Sequence, residues 1–174
     1  MLLILKNYGE YLKMIKNKKK FIIRLLLVIL WLGVIFFFSN ADANQTKNHS
    51  FGVTKTLVTQ IIKITNNIHI TNIEINDSNI NNIIDNIHPY IRKLAHFTEY
   101  FILAILVLLM IKETNLNYYY AFTILFCIFM AILDETHQLF IDGRVGSIID
   151  ILIDTSGSLL YLLINKIYHL ILNK

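Results

Sequence analysis

Histidine, the carboxylates and arginine carry most acid–base and anion-binding chemistry in proteins. In this chain they gather where polar residues meet long apolar runs. His96 and Glu99 stand three apart near the start of one such run, Asp134, Glu135 and Gln138 close another, and Ser147, Asp150 and Asp154 open a third. The stretch from Asp134 to Asp154 holds five of the chain's twelve acidic residues, and Arg144 is its only Lys or Arg. An ionised Asp at mid-bilayer costs roughly 2.5–3.5 kcal/mol even on lenient insertion scales, so such residues normally face protein or a water-filled cavity. His96, Glu99, Asp134, Glu135 and Asp150 are therefore candidates for acid–base work. Arg92, Gln138, Arg144, Ser147 and Asp154 are candidates for holding a ligand, and the planar fork of Arg144 suits a carboxylate or a phosphate. Hard oxygen ligands also admit a divalent cation, but these helical spacings match no defined metal motif, so no metal ligand is assigned. No nucleophile elbow, phosphate-cradling Gly loop or cofactor fingerprint is present, and no cofactor is expected.

The elements that position these groups follow from composition. With 55% hydrophobic residues and a mean hydropathy of +0.55, the chain reads as an all-α membrane protein. The net charge of +4 does not indicate nucleic acid, because Lys6, Lys13, Lys16, Lys18, Lys19 and Lys20 all precede the first apolar run. That is the distribution of a cytoplasmic flank. Cys127 is the only cysteine, which rules out an intramolecular disulfide or a Cys-rich metal site.

Residues 1–20 read as a basic cytoplasmic leader, and 21–174 as one membrane domain with spans near 21–38, 94–111, 118–136 and 148–165. Arg24 lies close enough to the inner end of the first span to snorkel to the headgroups. Ala41-Asp42-Ala43 resembles a signal-peptide cleavage site, but the preceding apolar run exceeds the usual h-region, so a retained anchor is expected. Residues 40–91, rich in Asn, Ile and Thr, read as an outer loop with two amphipathic surface helices. Leu57, Val58, Ile61 and Ile62 mark the first, and Ile80, Ile83, Ile84, Ile87 and Ile91 the second. Asp77 or Ser78 is the expected cap of the second, Pro89 a late interruption, and 68–75 a strand or loop. Tyr118, Tyr119 and Tyr120 fit an interfacial belt. Four spans with an inside N-terminus leave both termini cytoplasmic, with Lys112 and Lys166 on inner connections and Arg92 and Lys93 outside.

In that orientation the polar groups of three spans fall at one level. His96 and Glu99 lie in the outer half of the second span, Asp134, Glu135 and Gln138 at the outer end of the third, and Asp150 and Asp154 in the first turns of the fourth. At about 1.5 Å of rise per residue they share one band roughly 10 Å deep. Spacings of three or four put His96 with Glu99, Asp134 with Gln138, and Asp150 with Asp154 on common faces. Ser147, Asp150, Asp154 and Gly157 form one stripe, and Gly157 admits close approach of a neighbouring helix. Taken singly, each group reads more simply as a buried side chain bonded to its neighbours, and Arg144 with Asp150 as a structural ion pair. The one-sided set favours a functional pocket. Asp142 and His137 are expected to be exposed loop or helix-end groups.

Two blocks resemble the VanZ-like family of small bacterial membrane proteins. Arg92-Lys93-Leu94-Ala95-His96-Phe97-Thr98-Glu99-Tyr100 is similar to the family's R-K-x-x-H-F-x-E-Y. Asp134-Glu135-Thr136-His137-Gln138, followed by Gly143-Arg144, Ser147, Asp150 and Thr155-x-Gly157, is similar to D-E-x-x-Q…G-R-x-G-S…D…x-T-x-G. Phe38-Ser39-Asn40 is a weaker echo. Asp154 departs from the pattern, standing where many members carry Asn. The resemblance implies a multi-pass protein of the bacterial cytoplasmic membrane. It also implies a link to the low-level teicoplanin resistance associated with the family's name-bearing member.

Three functions follow as expectations. The first is an outer-leaflet enzyme or binding protein for an envelope lipid or lipid-linked cell-wall precursor, with catalysis left open. The second is a non-catalytic membrane protein that alters access of an antibiotic or partner. The third, a proton-coupled carrier, fits less well, because the inner halves of the spans are almost wholly apolar. No nucleic-acid partner is expected.

Overall fold

A computed structural model describes residues 15–40, 43–69, 76–141 and 146–172. Five helices follow in order: α1 Lys18–Ser39, α2 Ala43–Asn67, α3 Asp77–Ile111, α4 Tyr119–Gln138 and α5 Ile148–Leu172. Among the described residues the only β-type pairing is an isolated antiparallel bridge between Ile15 and Thr114. Helices α1, α3, α4 and α5 are long and apolar enough to cross a membrane, so the four expected spans are present in an all-α protein.

The spans bury stripes at helical spacing, and each stripe changes chemistry along its length. In α4 the buried positions are Thr123, Cys127, Met130, Ala131, Asp134, Glu135 and Gln138, one face that is mainly apolar first and polar last. In α5 they run Asp150, Asp154, Gly157, Ser158 and Leu162, polar first. In α3, His96 precedes Tyr100, Leu103, Ala104, Val107 and Leu108. Because α4 runs antiparallel to both α3 and α5, the polar ends of the three stripes meet. Apart from Lys18, Lys19, Lys20 and Arg24, helix α1 is apolar all round and contributes Val28 and Ile35 to the shared core, while Ile22, Leu26, Leu30 and Phe37 stay exposed, as suits a lipid-facing surface.

Helix α3 is the central element and packs against each of the other four. Its 35 residues span about 50 Å at 1.5 Å each, well beyond a hydrocarbon core of about 30 Å. The sequence separates an amphipathic surface helix from a span starting near 94; the structure makes them one helix that runs through Pro89. An interior proline costs about 3 kcal/mol in an isolated helix. Here packing on both sides offsets it: Ile80 and Ile84 are buried against Val58 and Ile62 of α2, while Tyr100 and Leu103 enter the main core. The cap is Asn76, whose side chain accepts from the Asn79 N–H at 2.8 Å, one position before the expected Asp77. Of the α2 stripe, Val58 and Ile62 are buried and Ile61 is exposed. Residues 70–75, most of the expected strand or loop, lie outside the described residues, as do 1–14 of the leader.

Both terminal elements reach the same end of the bundle. Asn17 caps α1 by accepting from the Lys20 N–H at 3.0 Å, and Lys18, Lys19 and Lys20 form the first turn of the span itself. Arg24 donates to the Glu113 carboxylate at 2.7 Å and to the Leu109 carbonyl, so it is clasped to the end of α3 instead of reaching freely to headgroups. Lys112 Nζ lies 3.3 Å from Asn165 Oδ1 and 3.2 Å from His169 Nε2, and partial burial holds its ammonium below the usual lysine range. Tyr120 donates to Asn165 at 3.0 Å, so one tyrosine of the expected belt also ties α4 to α5, whereas Tyr118 is exposed.

Candidate functional site: a polar cluster at one end of the bundle

The end opposite Lys112 is assembled from three helices. A loop of α5 is fastened first: Glu135 Oε2 accepts from the Ser147 N–H at 2.7 Å, satisfying an amide next to a helix N-terminus that has no partner within the helix. Ser147 Oγ in turn accepts from the Asp150 N–H at 3.4 Å, and Asp150 sits in the first helical turn, where the helix dipole favours a negative charge. Gly146 permits the close passage: a Cβ there would stand 2.7 Å from the Glu135 carbonyl oxygen. Further along α5, a Cβ on Gly157 would collide with the Phe97 carbonyl oxygen, and Ser158 donates to the Tyr100 carbonyl at 3.1 Å. Small residues thus bring α5 against the α3 backbone, and that crossing sets His96 beside Asp154.

His96 Nδ1 and Asp154 Oδ1 are 3.5 Å apart, an ion-pair separation that lacks the alignment of a hydrogen bond. Arg92 Nη2 lies 3.5 Å from Asp150 Oδ2, with the arginine side chain 46% exposed and the aspartate 7%. Gln138 Nε2 bridges Asp134 Oδ2 at 3.1 Å and Glu135 Oε1 at 3.0 Å. Glu99, half-buried, is in electrostatic range of His96, Asp134 and Asp154. His96, Glu135 and Asp154 each offer a ligand atom within 4.8 Å of the others.

The structure therefore brings nine of the ten candidate residues to one end: Arg92, His96 and Glu99 from α3, Asp134, Glu135 and Gln138 from α4, and Ser147, Asp150 and Asp154 at the start of α5. The tenth, Arg144, lies outside the described residues, as does Asp142. The described partner of Asp150 is Arg92, where the sequence offered Arg144. His137 is not the exposed group expected of it: it is half-buried, with its ring edge-on to Phe36 at 6.0 Å.

Trp31 of α1, which carried no expectation, also reaches the cluster. Trp31 Nε1 donates to the Glu99 carbonyl at 2.9 Å, which pins the first span against the turn carrying Glu99. A tryptophan within an apolar run is the available signal, since its N–H must find a partner. Ser39, from the weaker Phe38-Ser39-Asn40 echo, is buried at the same end of α1.

Pairing inside the cluster is incomplete. Asp134 Oδ1 and both carboxylate oxygens of Asp154 are buried without a hydrogen-bond partner among the described residues, and both residues are 0% exposed. An unmet buried acceptor costs roughly 1–3 kcal/mol, and more when charged. Below this level the core is built from Leu103, Ala104, Val107, Cys127, Met130 and Ala131.

Four apolar helices carrying a one-ended polar cluster define a multi-pass membrane protein. The chain belongs to the VanZ/LLP1 family, whose family model matches residues 24–169, a range that includes both motif blocks and every residue of the cluster. No curated protein and no solved structure matches the chain.

Proposed function

We propose that this VanZ-family protein binds or processes a phosphate-bearing envelope lipid or lipid-linked cell-wall precursor at the polar end of its bundle. In this reading that end faces the outer leaflet of the bacterial cytoplasmic membrane, and both termini are cytoplasmic. The lysine-rich start of α1 lies at the opposite end, as the positive-inside rule requires. The observation that carries the reading is the meeting of three helices' buried polar groups at one end, with an exposed arginine, Arg92, at the rim of an acidic interior. Arg92 supplies the planar fork that holds phosphate or carboxylate, a role the sequence pattern also offers Arg144. His96, Glu99, Asp134, Glu135 and Asp150 supply acid–base groups to anything held there. A coupled carrier fits less well, because apolar side chains fill the core beneath the cluster.

The test is lipid extraction and mass spectrometry of cells with and without the protein, repeated with Asp134→Asn, beside lipid binding by purified protein in nanodiscs. Arg92→Ala and Arg144→Ala are expected to weaken lipid binding about tenfold or more, in line with loss of a charge-assisted contact of about 1.5–3 kcal/mol, while the protein remains inserted. Undiminished binding in both variants removes the arginines from the reading. An altered lipid profile abolished by Asp134→Asn marks processing, and a profile that ignores the protein marks a non-catalytic role. Teicoplanin susceptibility of the same strains reads out the resistance link.

A further inference from the structure

We infer that His96, Glu135 and Asp154 form a binding site for a first-row divalent transition-metal ion, one ligand from each of the three helices that build the cluster. The three side chains are buried, at 8%, 3% and 0% exposure, and their ligand atoms lie within 4.8 Å of one another. Bonds of about 2.0–2.2 Å to nitrogen and oxygen require these atoms to draw in by about an ångström, a rearrangement within reach of side-chain torsions. The independent pointer to a ligand is Asp154. It is fully buried, both its oxygens lack a hydrogen-bond partner among the described residues, and it is aimed at His96 across 3.5 Å.

Charge points the same way. Glu99, Asp134, Glu135, Asp150 and Asp154 place five carboxylates around the site, and among the described residues the cationic side chains that meet them are Arg92 and His96. Gln138 and the Ser147 amide hold Glu135 in place, as outer partners orient metal ligands in known sites. The donor set decides the ion. An imidazole nitrogen beside two carboxylates suits Zn2+ or Mn2+, whereas Ca2+ and Mg2+ favour oxygen ligands throughout. The metal is tested alone, apart from the lipid reading; with an ion held by His96 and Glu135, the acid–base role of that reading falls to Glu99, Asp134 and Asp150.

The experiment uses full-length protein carrying no polyhistidine tag, in detergent or nanodiscs, stripped with chelator and titrated with Zn2+. Elemental analysis after gel filtration is expected to give one equivalent that survives excess Mg2+ and Ca2+. Zinc-edge X-ray absorption should show an imidazole among oxygen ligands, and added Zn2+ should raise the melting temperature. His96→Gln, Glu135→Gln and Asp154→Asn are each expected to weaken binding roughly tenfold or more, since even outer-shell partners of a metal count for 10–100-fold. His169→Gln, at the far end of the bundle, should bind as the parent does. If one variant misfolds, the other two and the absorption spectrum of the parent still decide. Absence of a bound equivalent in the parent, equal binding in all three cluster variants, or full displacement by Mg2+ overturns the inference.

Discussion

The two ends of the bundle use similar residue types in opposite ways. At the Lys112 end, Arg24 meets Glu113 and the Leu109 carbonyl, Lys112 meets Asn165 and His169, and Tyr120 meets Asn165. At the other end, His96, Asp134 and Asp154 are more deeply buried and less completely paired. Six buried side-chain atoms among the described residues lack a hydrogen-bond partner: Ser39 Oγ, His96 Nδ1, Asp134 Oδ1, His137 Nδ1 and both oxygens of Asp154. All belong to the cluster end. Buried polar groups in folded proteins are overwhelmingly bonded, so unmet atoms confined to one end separate contacts that hold helices together from groups kept for something else.

The α3–α5 crossing creates the cluster. Gly157→Leu is the sharpest way to break it, because the added side chain runs into the Phe97 backbone, which cannot step aside as a flexible side chain does. Overpacking of this kind typically costs about 1–3 kcal/mol. The expected result is a lower melting temperature in detergent and loss of the His96–Asp154 approach. An unchanged melting temperature would show that α3 and α5 do not cross this closely.

Asp154→Asn tests the contrast with the opposite sign. In the presence of chelator it replaces a buried carboxyl group whose oxygens lack a hydrogen-bond partner among the described residues, giving up only an unaligned approach to His96. Stability is expected to rise by about 1 kcal/mol, within the range common for relieving a strained functional site. Denaturant titration of the two proteins checks this. A fall would mean that Asp154 is a structural ion-pair partner like those at the Lys112 end.

Much of this contrast could be read from spacing alone. Hydropathy marks four spans, and residues three and four apart place His96 with Glu99 and Asp150 with Asp154, because a helix repeats its face at that interval. The common level of the three polar bands follows from chain direction and helical rise. What escaped was set by tertiary contact. Pro89 reads locally as an interruption, yet α3 runs through it because Ile84 and Tyr100 are packed on either side. Arg24 reads as a snorkelling residue because its partner, Glu113, lies 89 positions away, and no local pattern connects the two. His137 shares a short polar segment with Glu135 and Gln138, and only the placement of α1 turns it from an exposed group into one packed on Phe36.

Glu113→Gln should have the smallest effect and completes the contrast. The Arg24–Glu113 pair is partly open to its surroundings, at 28% and 16% side-chain exposure, so it belongs among ion pairs worth about 0.2–1 kcal/mol. Glutamine keeps the length and one acceptor, and Arg24 retains the Leu109 carbonyl. The Lys16 N–H still donates to the Glu113 backbone carbonyl, at 2.7 Å in the parent, so the pairing of residues near 15 with the α3–α4 connection does not depend on the lost charge. The expected outcome is a small destabilisation that shrinks as salt rises, with metal and lipid binding at the far end unchanged. A loss of binding without a loss of stability would couple the two ends and dissolve the distinction between them. A large, salt-independent destabilisation would instead make Glu113 as deeply committed as the cluster carboxylates.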